Sequence, residues 1–238
     1  MIDKKNIGDT FDNIAGRYDF LNHFLSLNID KSWRKKAVAC IDGVKEQKVL
    51  DIATGTGDLA IELLRQTPSR IVTGIDLSAN MLLMAKQKLA RLGIDSVSLE
   101  QMSALDMSFE NESFDCATCA FGVRNFSDIN KGLSEIYRVL KHGGEFVVLE
   151  FSKPKKEKLS FFSRLFWFGY SFYLNHILSF VGKIISRNKE AYSYLPSSIK
   201  SFPYPDEFAK MLTNNGFSVK EIKPLTLSIV TIYIAKKQ

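Results

Sequence analysis

The stretch that decides the fold is Lys48-Val-Leu-Asp-Ile-Ala-Thr-Gly-Thr-Gly-Asp58, in which an apolar run enters a glycine-rich turn and a helical pattern follows. From there the chain alternates short apolar runs with longer amphipathic stretches, which is typical of parallel strands joined by right-handed crossover helices. The pattern predicts strands at 48–53, 70–75, 97–101, 114–120 and 145–151, and helices at 58–66, 78–92 and 127–140. Ser78 is the predicted N-cap of the second of these helices, and Gly93 is predicted to end it.

The C-terminal part adds one helix and two strands. A helix is predicted at 205–214, and two apolar segments at 217–222 and 227–235 lie so close together that they indicate an antiparallel pair. The predicted fold class is therefore α/β, a doubly wound and mostly parallel seven-stranded sheet. We expect residues 1–238 to form a single domain, with an N-terminal helical region at 1–45 and an insertion at 152–202.

The composition excludes several classes of protein. Of 238 residues, 45% are hydrophobic and 24% are charged, so the chain buries a full core and is neither disordered nor collagen-like. Three cysteines are too few for a disulfide framework, and the first residues carry no apolar segment behind their positive charges. Both observations predict a cytoplasmic protein. The net charge of +6 is compatible with nucleic acid, with an anionic membrane surface or with neither.

The glycine loop indicates a ligand site, because glycines where a buried strand turns into a helix allow close backbone approach. Gly55-x-Gly57-x-x-Ala60, with Asp76 further along the chain, also fits the dinucleotide fingerprint. An NAD-binding oxidoreductase is therefore an alternative, and so is a tight turn without any ligand.

Two carboxylates favour S-adenosyl-L-methionine over a dinucleotide. Asp51 stands on the strand before Gly55, where it suits the ammonium group of a methionyl moiety and repels a diphosphate. Asp76 ends the second predicted strand, where it can accept from both hydroxyls of a ribose. The alternative for Asp76 is a helix cap or a favourable charge at a helix N-terminus.

Several separate motifs resemble those of class I methyltransferases, in the same order along the chain. They are the glycine loop at 49–57, the Gly74-Ile-Asp turn, Phe114-Asp115 and Arg138-Val-Leu-Lys-His-Gly-Gly144. Three further segments resemble the UbiE/MenG quinone C-methyltransferases: Tyr18-Asp19-Phe-Leu-Asn22-His-Phe-Leu-Ser26 with Trp33, then Phe121-Gly-Val-Arg-Asn125, then Leu149-Glu-Phe-Ser-Lys-Pro154. The similarity runs from about Phe11 to the C-terminus.

This resemblance implies S-adenosyl-L-methionine-dependent C-methylation of a polyprenylated quinol, in the first place demethylmenaquinol, to give menaquinol. The benzoquinol intermediate of ubiquinone biosynthesis is the near alternative. For the cofactor, the resemblance adds Thr56 and the pair Ser103-Ala104 at the adenine edge to Asp51, Gly55, Gly57 and Asp76. Ser103 stands where the family more often has Asn or Asp.

The acceptor side is assigned to Arg124, Asn125 and Tyr18. A quinol hydroxyl titrates near pH ~10 by analogy with Tyr, so a cation that stabilises its developing oxyanion would make the ring carbon a better nucleophile. Arg124 follows the fourth predicted strand and suits this role, with Asn125 as a further donor and Tyr18 stacking on the ring. The alternative is that Arg124 pairs with a nearby carboxylate and fixes the loop. His23, His176 or a water molecule are the candidate proton acceptors.

The insertion is rich in aromatic residues and has basic residues on both sides. Two interpretations stay open: a helix that covers the core, or a lid that encloses a prenyl tail and contacts anionic lipid headgroups at the inner face of the membrane. The oligomeric state also stays open, a dimer included.

Neither a metal nor nucleic acid is expected as a partner. Cys116 and Cys119 lie three apart in a predicted strand, so they face opposite sides and are expected to be buried packing residues. The fourth strand ends in Ala120-Phe-Gly-Val rather than in the Asn/Asp-Pro-Pro-aromatic turn of enzymes that methylate flipped bases.

Overall fold

The structure, a computed structural model, describes residues 7–12, 15, 26, 28–42, 47–68, 70–154, 167, 169 and 196–238. The main helices are α1 (Ile7–Asp12), α2 (Ile29–Val38), α3 (Asp58–Gln66), α4 (Ala79–Arg91), α5 (Ile129–Val139) and α6 (Pro205–Asn214). The strands are β1 (Lys48–Ile52), β2 (Ile71–Asp76), β3 (Val97–Gln101), β4 (Phe114–Ala120), β5 (Leu140–Phe151), β6 (Phe217–Leu225) and β7 (Val230–Lys237).

The seven strands form one sheet in the order β3-β2-β1-β4-β5-β7-β6. The strands from β1 to β5 pair in parallel, and β7 is antiparallel to both β5 and β6. The chain winds outward from β1 to one edge and then returns to build the other half from β4. The predicted doubly wound α/β fold is confirmed, including the antiparallel pair at its end.

Two apolar clusters cover the two faces of the sheet. Along β4, Cys116 belongs to the cluster packed by α2 and α3, whereas Cys119 belongs to the cluster packed by α5 and α6. Both thiols are 0% exposed, as predicted for packing residues. Burial raises the pKa of each thiol above its ordinary value.

The predicted N-cap and the predicted end of α4 are both confirmed. The Ser78 hydroxyl accepts from the Met81 N–H at 3.1 Å, and Gly93 follows the helix with a φ of 66°. The helix predicted at 127–140 is α5, and its N-cap is Asp128, whose carboxylate accepts from the Lys131 N–H at 3.0 Å.

The last two strands differ from the predicted bounds. β6 continues through Pro224 to Leu225, three residues beyond the predicted end at 222. β6 is an edge strand with a neighbour on one side only, so it tolerates a proline whose nitrogen faces away from β7. β7 begins only at Val230, because Thr226, Leu227 and Ser228 all have positive φ and form the turn between the strands.

Among the described residues no helix is both long and apolar enough to cross a bilayer. Most of the aromatic insertion predicted at 152–202 lies outside the described residues, as does much of the N-terminal region.

Candidate functional site

A cavity opens at the carboxyl ends of β1 to β4, where the strand order reverses between β1 and β4. Open α/β sheets bind their ligands at this point. The cavity holds about 760 Å³ of space free of protein atoms, its open mouth included. Its walls come from helices α1 and α4, from the last residues of β2 and β4, and from the segments that follow the four strands: Gly8, Phe11, Ala53, Gly55, Ile75, Asp76, Leu77, Met81, Met102, Ser103, Ala104, Leu105, Ala120, Phe121, Gly122, Asn125, Phe126 and Ser127.

The glycine loop forms the floor beside β1. Gly55 and Gly57 have φ values of 57° and 83°, a backbone conformation that side chains with a Cβ rarely adopt. Gly57 also packs closely on α4, since a Cβ there would lie 3.3 Å from the Cβ of Ala85. Gly55 lines the cavity, and its N–H donates to the Asp76 carboxylate at 2.9 Å.

Asp76, at the end of β2, is the carboxylate on the cavity wall. One oxygen accepts from the Gly55 N–H and the other from the Ser78 N–H, both at 2.9 Å. A carboxylate oxygen has two lone pairs, so each oxygen retains capacity for a further donor. Burial raises the pKa of Asp76, and the backbone donors oppose that shift. This arrangement fits the two hydroxyls of a ribose.

Apolar side chains continue the wall from Asp76 to the turn after β3. Leu77, Met102, Leu105 and Phe126 line the cavity, and their apolar side chains suit the flat faces of an adenine ring, so we call this part of the cavity the adenine slot. Ser103 and Ala104 lie at the edge of this slot, and the Ser103 hydroxyl accepts from the Leu105 N–H at 3.1 Å. Adenosine therefore fits the chemistry of this half of the cavity.

Asp51 lies behind the wall rather than on it. Its side chain is 1% exposed, and its carboxylate accepts from the hydroxyls of Thr54 and Thr118 at 2.6 Å and 2.8 Å. Burial raises the pKa of Asp51 to about 6, and the two hydroxyl donors limit the rise. Its predicted contact with an ammonium group stays a prediction.

Thr56 and Gly57 also lie outside the lining of the cavity. Thr56 is 3% exposed, and its hydroxyl accepts from the Lys88 ammonium at 3.1 Å. The same ammonium pairs with Asp58 at 2.7 Å, and Arg34 of α2 lies 3.4 Å from the other oxygen of that carboxylate. These contacts fasten the start of α3 to α2 and α4. A cofactor contact of Thr56 stays a prediction.

The end of the cavity predicted to hold the acceptor is formed by the segment after β4, which contributes the polar residues Asn125 and Ser127. Arg124 does not line the cavity. It is 5% exposed, and its guanidinium pairs with Glu150 of β5 at 2.8 Å and approaches the hydroxyl of Ser198 at 3.3 Å. This is the arrangement of the alternative in which Arg124 pairs with a carboxylate and fixes the loop. Its direct action on a quinol stays a prediction.

Helix α1 contributes cavity residues that the sequence did not reveal. Gly8 and Phe11 line the cavity, and the Asp12 carboxylate accepts from the Ser78 hydroxyl and, at 3.0 Å, from the Asn80 N–H. Asp12 thus holds α1 at the N-terminus of α4. No pattern around these residues distinguishes them from an ordinary amphipathic helix.

Glu150 is a further residue outside the predicted set, although the sequence carries a signal for it. It is an acidic residue inside the otherwise apolar strand segment 146–151, which predicts a buried cation as its partner. Tyr18, His23 and His176 lie outside the described residues. The cavity therefore brings together Gly55, Asp76, Ser103, Ala104 and Asn125 from the predicted set.

Comparison with known proteins identifies the family. The model of the ubiE/COQ5 methyltransferase family matches residues 1–237. A demethylmenaquinone methyltransferase of Porphyromonas gingivalis is 42% identical over 95% of this chain and 91% of its own length. The ubiquinone/menaquinone biosynthesis C-methyltransferase UbiE of Geotalea daltonii is also 42% identical, over 98% of this chain and 97% of its own.

Solved structures agree on the fold. A SAM-dependent methyltransferase from Aquifex aeolicus superposes with a TM-score of 0.64 at 17% identity, over 91% of this chain and 96% of that one. The family predicted from the motifs is confirmed, and the NAD-binding oxidoreductase is set aside. The chain belongs to the ubiE/COQ5 methyltransferase family.

Proposed function

We propose that this enzyme transfers the methyl group of S-adenosyl-L-methionine to a ring carbon of a polyprenylated demethylmenaquinol, giving menaquinol and S-adenosylhomocysteine. The observation that carries this proposal is the cavity itself. It combines an adenosine-compatible half around Asp76 with an adjoining half around Asn125. The family and the names of the relatives from Porphyromonas gingivalis and Geotalea daltonii support the reaction.

The cofactor half is assigned to residues that follow β1 to β3. S-adenosyl-L-methionine carries its methyl group on a positively charged sulfur, which makes the methyl carbon electrophilic. Asp76 accepts from the ribose hydroxyls, and Ser103 and Ala104 hold the adenine edge. Asp51 receives the methionyl ammonium, because it is an acidic group beside the glycine loop. Thr56 supports the same end of the ligand.

The acceptor half must align the quinol and raise the electron density of its ring carbon. Asn125 presents an amide to the quinol oxygen, and Tyr18 stacks on the ring. Arg124 places positive charge next to this end of the cavity. The ring carbon forms a bond to the methyl carbon as the carbon–sulfur bond breaks, and the ring then loses its proton to His23, His176 or water.

A benzoquinol acceptor is the second candidate, because the Geotalea daltonii relative is named for both ubiquinone and menaquinone biosynthesis. The test is methyl transfer from labelled S-adenosyl-L-methionine to reduced quinols with naphthalene and benzene head groups. We expect label in the naphthoquinol. Label only in the benzoquinol would reverse the order of the two candidates, and label in neither would remove the proposed function.

We also propose that the insertion attaches the enzyme reversibly to anionic membranes. The support is its aromatic composition and its flanking basic residues. Replacement of Lys155, Lys156 and Lys158 by Glu should reduce co-sedimentation with anionic vesicles, since each basic residue near such a surface contributes about 1 kcal/mol. Unchanged co-sedimentation of this variant would remove the proposal.

A further inference from the structure

Glu150 is a fully buried acid beside the acceptor end of the cavity. Its side chain is 0% exposed, and its neighbours on β5 are apolar core residues. One carboxylate oxygen accepts from the Arg124 guanidinium and from the Phe151 N–H, both at 2.8 Å. The other oxygen accepts from the Arg124 backbone N–H at 3.2 Å. Glu150 thus holds Arg124 by its side chain and by its backbone.

The turn that Glu150 holds is strained. Phe121 has a φ of 59°, which is rare for an aromatic residue. Gly122 follows in a space so narrow that a Cβ would lie 2.6 Å from the Cβ of Ala53 and 2.7 Å from the Cys119 sulfur. Such a conformation persists only where its surroundings fix it from several sides.

The side-chain contacts that hold this turn in place meet at the carbonyl of Phe121. It accepts from the Arg124 guanidinium and, at 3.3 Å, from the side-chain amide of Asn125. The Phe121 N–H donates to the carbonyl of Leu149 at 2.7 Å, one residue before Glu150. Glu150 therefore holds the Arg124 guanidinium in place, and this guanidinium holds the turn. The conformation of the turn determines where the Asn125 amide lies on the cavity wall.

All three hydrogen bonds to Glu150 come from N–H donors, which a carboxylate satisfies and an amide does not. Glutamine at this position would turn an NH₂ group toward at least one of these donors. Burial raises the pKa of Glu150, and the Arg124 charge opposes that rise. A change from Glu to Gln therefore alters the turn without removing side-chain volume.

We propose that Glu150 is a positioning residue for methyl transfer, which acts through Arg124 to hold the strained 121–125 turn and so places the Asn125 amide at the acceptor. This inference rests on the proposed function. Glu150 does not line the cavity and touches neither the donor nor the acceptor. Its loss should therefore reduce kcat and leave the cofactor half of the cavity intact.

The test compares Glu150→Gln with Glu145→Gln. Glu145 is a matched control on the same strand, 8% exposed, and its carboxylate accepts from the Asp42 N–H at 3.1 Å, remote from the cavity lining. At a temperature where each variant is folded, Glu150→Gln should lose about 10²-fold in kcat, the cost of a small misplacement. Its affinity for S-adenosylhomocysteine should stay unchanged, and Glu145→Gln should turn over like the wild type.

A second readout does not depend on activity. The side-chain amide signal of Asn125 in a ¹⁵N spectrum, assigned by its absence from Asn125→Asp, should shift in Glu150→Gln and stay in place in Glu145→Gln. If the wild type methylates no quinol but the signal shifts, the proposed function fails while the structural link between Glu150 and Asn125 stands. An unshifted signal, or a folded Glu150→Gln with normal kcat, overturns the positioning role.

Should Glu150→Gln not fold, Glu150→Asp replaces it. This variant keeps the charge for Arg124 but shortens the side chain by one methylene, so the turn is drawn toward β5. We expect it to fold, to bind S-adenosylhomocysteine normally and to lose kcat. Normal kcat in this variant, or a loss of cofactor affinity as large as its loss of kcat, overturns the proposal.

Discussion

The two halves of the cavity use their polar groups in opposite ways. In the cofactor half, Asp76 lines the cavity, and two backbone N–H groups fix its carboxylate. Beside the acceptor half, Arg124 and Glu150 direct their charges at each other and do not line the cavity, whereas the uncharged polar residues Asn125 and Ser127 do. Under the proposed function, the cofactor half recognises its ligand by charge, whereas the acceptor half depends on the shape of a strained turn.

This difference has a physical basis. A donor with a ribose and an ammonium group offers hydrogen-bond donors that an ionised carboxylate recognises. A quinol head group is mostly apolar, so an exposed charge beside it would lose more hydration than it gains. An internal ion pair avoids that cost and still fixes the backbone. Substitutions in the cofactor half should therefore change mainly cofactor affinity, whereas substitutions beside the acceptor half should change mainly stability and kcat.

The largest effect is expected from Arg124→Ala. This change leaves Glu150 as a buried charge without its partner, and breaking such a pair costs about 3–5 kcal/mol in the free energy of unfolding. Urea denaturation measures the loss. The control is Lys141→Ala, which breaks a pair with Asp115 whose side chains are 45% and 34% exposed and should cost at most about 1 kcal/mol. Equal losses for the two variants would contradict a buried, structural pair.

The next effect concerns the cofactor half alone. Asp76→Ala removes a charge-assisted acceptor of the ribose and should weaken S-adenosylhomocysteine binding by at least about 1.5 kcal/mol. Calorimetric titration measures it, with Asp95→Ala, at an exposed position in the turn before β3, as the control. Affinity that stays at the wild-type value would remove Asp76 from the cofactor site.

Much of the cofactor half could be predicted from the sequence, because its residues follow strand ends at short, regular distances. Gly55 and Asp76 stand at the ends of the first two strands, and parallel strands bring those ends to one edge. The ion pair of Arg124 and Glu150 forms because β4 and β5 are adjacent in the sheet. The spacing of the two residues along the sequence does not predict that contact. The α1 residues that line the cavity could not be predicted, because α1 is far from the glycine loop along the chain and reaches the cavity only when the helix docks there.

A smaller effect is expected in the pH dependence of cofactor binding. Burial raises the pKa of Asp51 to about 6 in the free enzyme. If Asp51 receives the ammonium group, its ionised form is needed, so binding releases a proton near that pH and weakens by up to about tenfold per unit below it. Calorimetry from about pH 5 to about pH 7.5 measures this, and Asp51→Asn should flatten the profile. Identical profiles for both proteins would leave Asp51 with a structural role toward Thr54 and Thr118.

The same raised pKa affects stability with a definite sign. Because the folded-state pKa of Asp51 lies above its ordinary value, its protonated form favours the fold. That contribution is fully present below the ordinary pKa of an aspartate and is lost as the pH rises through about 6. Asp51→Asn should therefore be less sensitive than the wild type to a rise in pH across this range.

The smallest effect is expected from Ser103→Ala. Its hydroxyl is engaged with the Leu105 N–H and lies at the edge of the adenine slot. Loss of one neutral hydrogen bond should weaken S-adenosylhomocysteine binding by about 0.5–1.5 kcal/mol and leave kcat unchanged at saturating cofactor. A loss as large as that of Asp76→Ala would mean that the adenine edge, and not the ribose, dominates recognition.

We infer that the cavity around Asp76 is the cofactor site and that it adjoins the acceptor turn. A crystal structure of the enzyme with S-adenosylhomocysteine would show where the cofactor binds. We expect both ribose hydroxyls within about 3.2 Å of the Asp76 carboxylate oxygens, the adenine ring in the slot beside Met102, and the sulfur directed toward Asn125. A ligand bound elsewhere, or a ribose with no contact to Asp76, would contradict it.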